Sequence, residues 1–238
     1  ETFAYDNRQQ IKKYVDPQTM LDGQFDFPFK ARLCEALFRP DGRLDSFSSW
    51  LRGNQGFYGN GAIMTTWIGN HDIPRAIHFA SRQIKNCRAG SSPQNGWNAA
   101  SYTQPTNATP YERLGLAFTV MMTTNAGIPL IYYGDEVGLA GGGDPDNRRM
   151  MPWDDSDLNA HQKALRDTVK ELAHLRAKNP VLARGQRRTL SADQDTWVWQ
   201  MSGCGAEPIT VAINRADSPT SVQIPRSEER RVGKECIV

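Results

Sequence analysis

The 238 residues carry 28 Lys and Arg against 26 Asp and Glu, for a net charge of +2, and 39% of them are hydrophobic. That is chain enough for one large domain or two modest ones around a buried core. The charges are scattered and no apolar run nears the ~20 residues of a membrane helix, so neither a nucleic-acid partner nor a membrane is expected.

The chain opens with "ETF", without Met or a targeting segment, so the compartment stays open. "TMLDGQFDFPF" (19–29) predicts a short strand and its exit, and "FKARLCEALF" (29–38) a helix. "DGRLD" (41–45) reads as a turn into the helix "LDSFSSWL", with Asp45 as its N-cap. "AIMTTWIGNH" (62–71) has the β-branched and aromatic content of a buried strand. Leu114, Ala117, Phe118, Met121 and Met122 then recur at the spacing of a core-facing helix stripe. "IPLIYYGDE" (128–136) is a continuous apolar run of the kind buried in parallel sheets, which also makes Tyr132 and Tyr133 core residues. "DDSDLN" (154–159) reads as an acidic helix start, not as a calcium loop, because Ala160 stands where such a loop needs Gly. Leu165, Val169, Leu172 and Ala173 mark a last helix that stops at Asn179-Pro180. His161 and His174 fall on its surface, and His78 has no evident partner.

Strand–helix alternation of this kind predicts parallel βαβ units. Beyond Pro180 the texture turns to short alternating strands, "TWVWQM" (196–201), "ITVAIN" (209–214) and "SVQI" (221–224), which predict a small antiparallel β domain. The four cysteines (Cys34, Cys87, Cys204, Cys236) form no C-x-x-C, and neither a zinc site nor a disulfide framework is expected. The glycines of "AGGGDP" precede no helix at phosphate-cradling distance, which speaks against nucleotide binding.

Three strand ends carry polar clusters: Glu1-Thr2-Phe3, Asn70-His71-Asp72 and Gly134-Asp135-Glu136, the last followed by the loop "GLAGGGDPDNRRMMPW" (138–153). In parallel α/β barrels such strand ends build the active site. The runs "TTWIGNHDIPR" and "GIPLIYYGDEVGLAGGGDPDNRRMMPW" closely resemble two conserved regions of the α-amylase superfamily, glycoside hydrolase family 13. "ETFAYDN" through "MLDGQFDFPF" is similar to the segment from that family's general-acid glutamate to its sixth barrel strand.

The resemblance covers roughly residues 1–180 and implies an α/β fold: the second half of a (β/α)8 TIM barrel, then the start of the C-terminal β domain at 181–225. It makes Glu1 the acid/base, Asp72 the transition-state-stabilising carboxylate and His71 a sugar ligand beside the cleaved bond. Asp144 and Arg148 match the pair that holds a glucosyl unit on the non-reducing side. The substrate implied is an α-glucan or maltooligosaccharide with α-1,4 bonds, as in α-amylases, neopullulanases and cyclomaltodextrinases. A transglycosylase, or a non-catalytic amylase-like domain, is the alternative.

The family's nucleophilic Asp has no counterpart here, since "DGRLD" lacks a residue and falls after the acid instead of before it. The expectation is therefore a fragment, inactive by itself, with no metal or cofactor of its own; the family's early calcium-binding region lies outside it. Residues 226–238 ("RSEERRVGKECIV") lack apolar periodicity and resemble the translation of a sequencing-adapter oligonucleotide, so they read as a non-native tail.

Overall fold

The computed structural model describes residues 1–59, 61–90, 100–222 and 224; the tail expected to be non-native lies outside the described residues. The elements run α1 (Arg8–Lys12), α2 (Phe27–Phe38), α3 (Leu44–Gln55), β1 (Thr65–Thr66), α4 (Ala76–Ala80), α5 (Thr109–Thr123), β2 (Ile128–Pro129), α6 (Ala160–Lys178), α7 (Pro180–Arg184), β3 (Gln186–Ala192), β4 (Thr196–Gly203) and β5 (Ala206–Asn214).

Helix α2 starts two residues before the expected point because Asp26 caps it, accepting the Phe29 amide at 3.0 Å. The cap expected of Asp45 on α3 is not there. Arg43 grips that carboxylate through Nε and NH2, and the free first-turn amides of Leu44 and Asp45 donate to the carbonyls of Gln194 and Asp193, both at 2.9 Å. Helix α6 likewise begins on a capping box at Asn159 and Gln162, after the acidic run, whose Asp155–Asp157 form a separate 3-10 turn. The stripe of α5 is buried as its spacing predicts, and in α6 Leu165 and Val169 are buried. His161 is half-buried, its ring stacked on Tyr111.

Three chain segments form a parallel sheet in sequence order. Phe25 bridges to Thr65, and Thr65 and Thr66 pair with Ile128 and Pro129. The regular strands are shorter than the apolar runs at 62–71 and 128–136 predict. Among the described residues β2 pairs only with β1, and Pro129 has no N–H for a ladder. Ile63, Ile128 and Ile131 stay exposed in or beside these strands.

Beyond α7 the strands β3, β4 and β5 form an antiparallel meander. Its first strand, "QRRTLSA", was hidden by polar composition, while the strand expected at 221–224 is absent at residues 221, 222 and 224. Central β4 is buried along nearly its whole length. Its Trp197 meets Phe47 of α3 edge-on at 5.9 Å, and the Trp199 indole donates to the Thr123 carbonyl at 3.3 Å. One continuous apolar cluster therefore runs from α2 through α5 to β4.

Contrary to the reading of isolated cysteines, Cys34 on α2 and Cys87 after α4 form a disulfide, and Cys204 is disulfide-bonded as well. Their 53-residue separation hides the approach, which the packing of α4 beside α2 brings to a Cα–Cα distance of 5.7 Å.

Candidate active site

Past β1 the chain continues through Trp67, fully buried against Phe25 and Phe27, to a turn at Asn70-His71-Asp72. Asn70 is buried and organises that turn. Its Oδ1 accepts the Asp72 amide at 3.0 Å, and its Nδ2 reaches the Glu1 carboxylate at 3.4 Å. His71 Nε2 lies 3.4 Å from Asp72 Oδ1, with both side chains partly open to solvent. Glu1 reaches this turn because the residues after it are pinned. Thr2 donates to Gln24 at 2.8 Å, Phe3 packs on Tyr5 and Phe27, and Asp6 takes the Arg88 guanidinium at 2.8–2.9 Å.

Burial raises the Glu1 pKa above the ordinary carboxylate value, and the negative charge of Asp72 adds to it; the chain's amino group and His71 oppose them. A carboxyl with a raised pKa beside a second carboxylate is the pairing that glycoside hydrolysis uses.

The loop from Gly138 folds back over the turn. Its glycines make close approaches: a Cβ on Gly142 would stand 2.5 Å from the Tyr102 ring. Asp146, fully buried, accepts from the Gly142 amide at 2.7 Å and from Arg149 at 2.6 and 2.8 Å. The 3-10 turn Asp146–Arg148 then sends successive side chains opposite ways. Asn147 points inward and donates to the His71 and Ile73 carbonyls at 2.8 and 2.9 Å. Arg148 is exposed and pairs with Asp144 at 3.0 Å. The structure thus brings Glu1, His71 and Asp72 into one cluster and joins the Asp144–Arg148 pair to it through Asn147.

Asp135 and Asp45 are not members of this cluster. Asp135 is fully buried 3.6 Å from Arg75, its carboxyl pushed up to about 7 first by burial. Asp45 is held by Arg43 beside the Asp193–Gln194 segment. Tyr133 is not the core residue expected. It is exposed, its hydroxyl donates to the Arg149 carbonyl at 2.9 Å, and the Arg75 guanidinium lies over both its ring and that of Tyr132. His78 has partners after all, Gln83 and the Gly141 amide. Sequence reading missed the bracing roles of Asn70 and Asn147, although both lie inside the motifs that drew attention. Among the described residues no group of three His, Cys, Asp or Glu side chains is placed to hold a metal ion.

No model of a known protein family matches the chain. A cyclomaltodextrinase from Geobacillus thermopakistaniensis (strain MAS1) is 38% identical over 160 residues, 66% of this chain and 22% of that protein. A cyclomaltodextrin glucanotransferase from Paenibacillus macerans is 30% identical over 193 residues, 81% of this chain and 22% of that protein. Among solved structures, an α-amylase from Geobacillus thermoleovorans in complex with acarbose superposes with a TM-score of 0.64 at 27% identity, over 83% of this chain and 38% of that one. The chain thus spans about a fifth of the length of these two relatives. The chain belongs to the α-amylase superfamily, glycoside hydrolase family 13, and carries part of its barrel with the start of the β domain beyond.

Proposed function

We propose that the full-length protein carrying this sequence is a retaining α-glucan-active enzyme that cleaves α-1,4-glucosidic bonds, with residues 1–180 as the second half of its barrel and 181–225 as the start of its β domain. The observation that carries this reading is the Glu1–Asn70–His71–Asp72 cluster, with the Asp144–Arg148 pair tied to the same turn.

Each group has a role that its environment suits. Glu1, biased towards its protonated form, donates its proton to the departing glycosidic oxygen. Asp72 and His71, partly open to solvent, accept and donate hydrogen bonds to the hydroxyls of the ring that becomes oxocarbenium-like. Asp144 and Arg148 present an acceptor and a donor to the next sugar towards the non-reducing end. The acarbose bound by the α-amylase relative is consistent with a maltooligosaccharide-like ligand. The remaining carboxylate, the nucleophile of a retaining route, is supplied from outside these 238 residues, because Asp45 is held by Arg43 away from the cluster and Asp135 is buried against Arg75, closed to a sugar. The 238 residues alone therefore turn over no substrate.

Full-length protein assayed on soluble starch and maltooligosaccharides, with product anomers followed by NMR, tests the reading. Glu1→Gln should lower turnover by about 10²–10⁴-fold, the range for a positioned general acid. Near-normal activity in that variant would remove Glu1 from the mechanism, and a soluble 238-residue chain with measurable turnover would refute the external nucleophile. Product lengths separate hydrolysis from transfer, since both occur among the relatives.

A further inference from the structure

We infer that Asn147 is a positioning residue that holds Asp72 in its working place, so that the turn Asp146–Arg148 links the outer sugar pair to the catalytic turn. The inference rests on the reading of Asp72 given above.

Asn147 is fully buried, and the two hydrogens of its amide are both used. They go to the carbonyls of His71 and Ile73, one residue before and one residue after Asp72. The Asp72 amide is held separately by Asn70 Oδ1 at 3.0 Å. Two asparagine side chains therefore fix the backbone on either side of Asp72 and at its own N–H, which sets the direction of its Cα–Cβ bond. This turn belongs to no helix or strand, so no ladder of its own does that work.

Asn147 is itself braced. Asp146 is locked by the Gly142 amide and by Arg149, which also donates to the Tyr102 carbonyl at 2.9 Å. Arg148, next in the chain, faces outward to Asp144. One three-residue turn thus grips the backbone on either side of Asp72 on its inner side and presents the sugar pair on its outer side. Displacing a reacting group by about 1 Å can cost 10²-fold in rate while leaving remote binding contacts intact.

The test uses full-length protein with Asn147→Ala and with the isosteric Asn147→Asp, which keeps the volume and loses the donors. Both should lower kcat by about 10–100-fold with KM within about threefold, and Arg148→Ala should instead act chiefly on KM. In Asn147→Ala the alkaline limb of kcat/KM should move to lower pH, because the Asp72 charge no longer supports protonation of Glu1 at the same distance. Amide hydrogen exchange supplies a readout that needs no activity: the Asp72 amide should exchange at least about tenfold faster while the amides of α6 keep their rates. Wild-type kcat in both variants, or unchanged exchange at Asp72, would overturn the inference. So would acceleration spread evenly over α6, which marks a merely structural role. If Glu1→Gln and Asp72→Asn retain activity, the site reading fails instead, and the exchange experiment still decides whether Asn147 holds the turn.

Discussion

Gly69 precedes the Asn-His-Asp turn, and its missing side chain is what lets two elements meet. A Cβ there would stand 2.1 Å from Asp135 Oδ2, and Asp135 cannot swing away because it lies wholly buried next to Arg75. Arg75 in turn donates to the Tyr133 carbonyl and sits over the rings of Tyr132 and Tyr133. The buried pair thus joins the segment after β1 to the one after β2 directly beneath the candidate site. Breaking such a pair from one side is costly, since the other charge is left buried. Gly69→Ala should therefore destabilise the full-length protein by about 2 kcal/mol or more, at the upper part of the overpacking range. Urea denaturation would measure it, and an unchanged midpoint would mean that the carboxylate has room to move.

Helix α4 is only five residues long, yet it carries a contact that ties it to the loop over the site. Its His78 is fully buried, and its Nε2 accepts the Gly141 amide at 3.0 Å, so the neutral ring carries its proton on Nδ1, facing Gln83 Oε1 at 2.8 Å. Burial pushes the imidazole down to about 4. A second proton would have to sit on Nε2, against the Gly141 N–H. Because the folded-state value lies below the unfolded one, the unfolded chain binds more protons between about pH 4 and 6.5. This contribution is complete above pH 6.5 and is lost as pH falls through that window, up to about 3 kcal/mol. Asp26 and Asp135, raised by burial to about 6 and about 7, work the other way over the same range, favouring the fold as pH falls. The clean measurement is therefore a difference between wild type and His78→Gln. The wild-type advantage should shrink from pH 6.5 to pH 4, and a constant difference would show that His78 does not titrate on unfolding.

What was legible over the whole molecule follows from distance along the chain. Asn70, His71 and Asp72 are consecutive and Asp144 and Arg148 are four apart, so their motifs survive in the bare sequence, as do the apolar stripes of α5 and α6. The pairings that assemble the site and its support are remote. Asn147 meets a turn more than 70 residues upstream, and the α3 amides are satisfied by a loop some 150 residues downstream. No local pattern encodes either, because a polar side chain shows no partner until the fold supplies one. The Cys34–Cys87 bond is the same case, and it supports the site. Arg88, beside Cys87, pairs with Asp6 and Glu35, and Asp6 anchors the segment that carries Glu1. The bond closes a loop over a separation of 53 residues, for which the chain-entropy estimate is about 4 kcal/mol and measured losses run about 2–5. The double variant Cys34→Ser, Cys87→Ser should lose stability in that range, and because it leaves Cys204 in place the loss belongs to this bond alone. Its turnover should fall further than that of a surface variant with the same melting point, since Arg88 loses the tether that aims it at Asp6. An unchanged melting point, or free thiols at Cys34 and Cys87 by mass spectrometry of the native protein, would show that the two sulfurs are not joined.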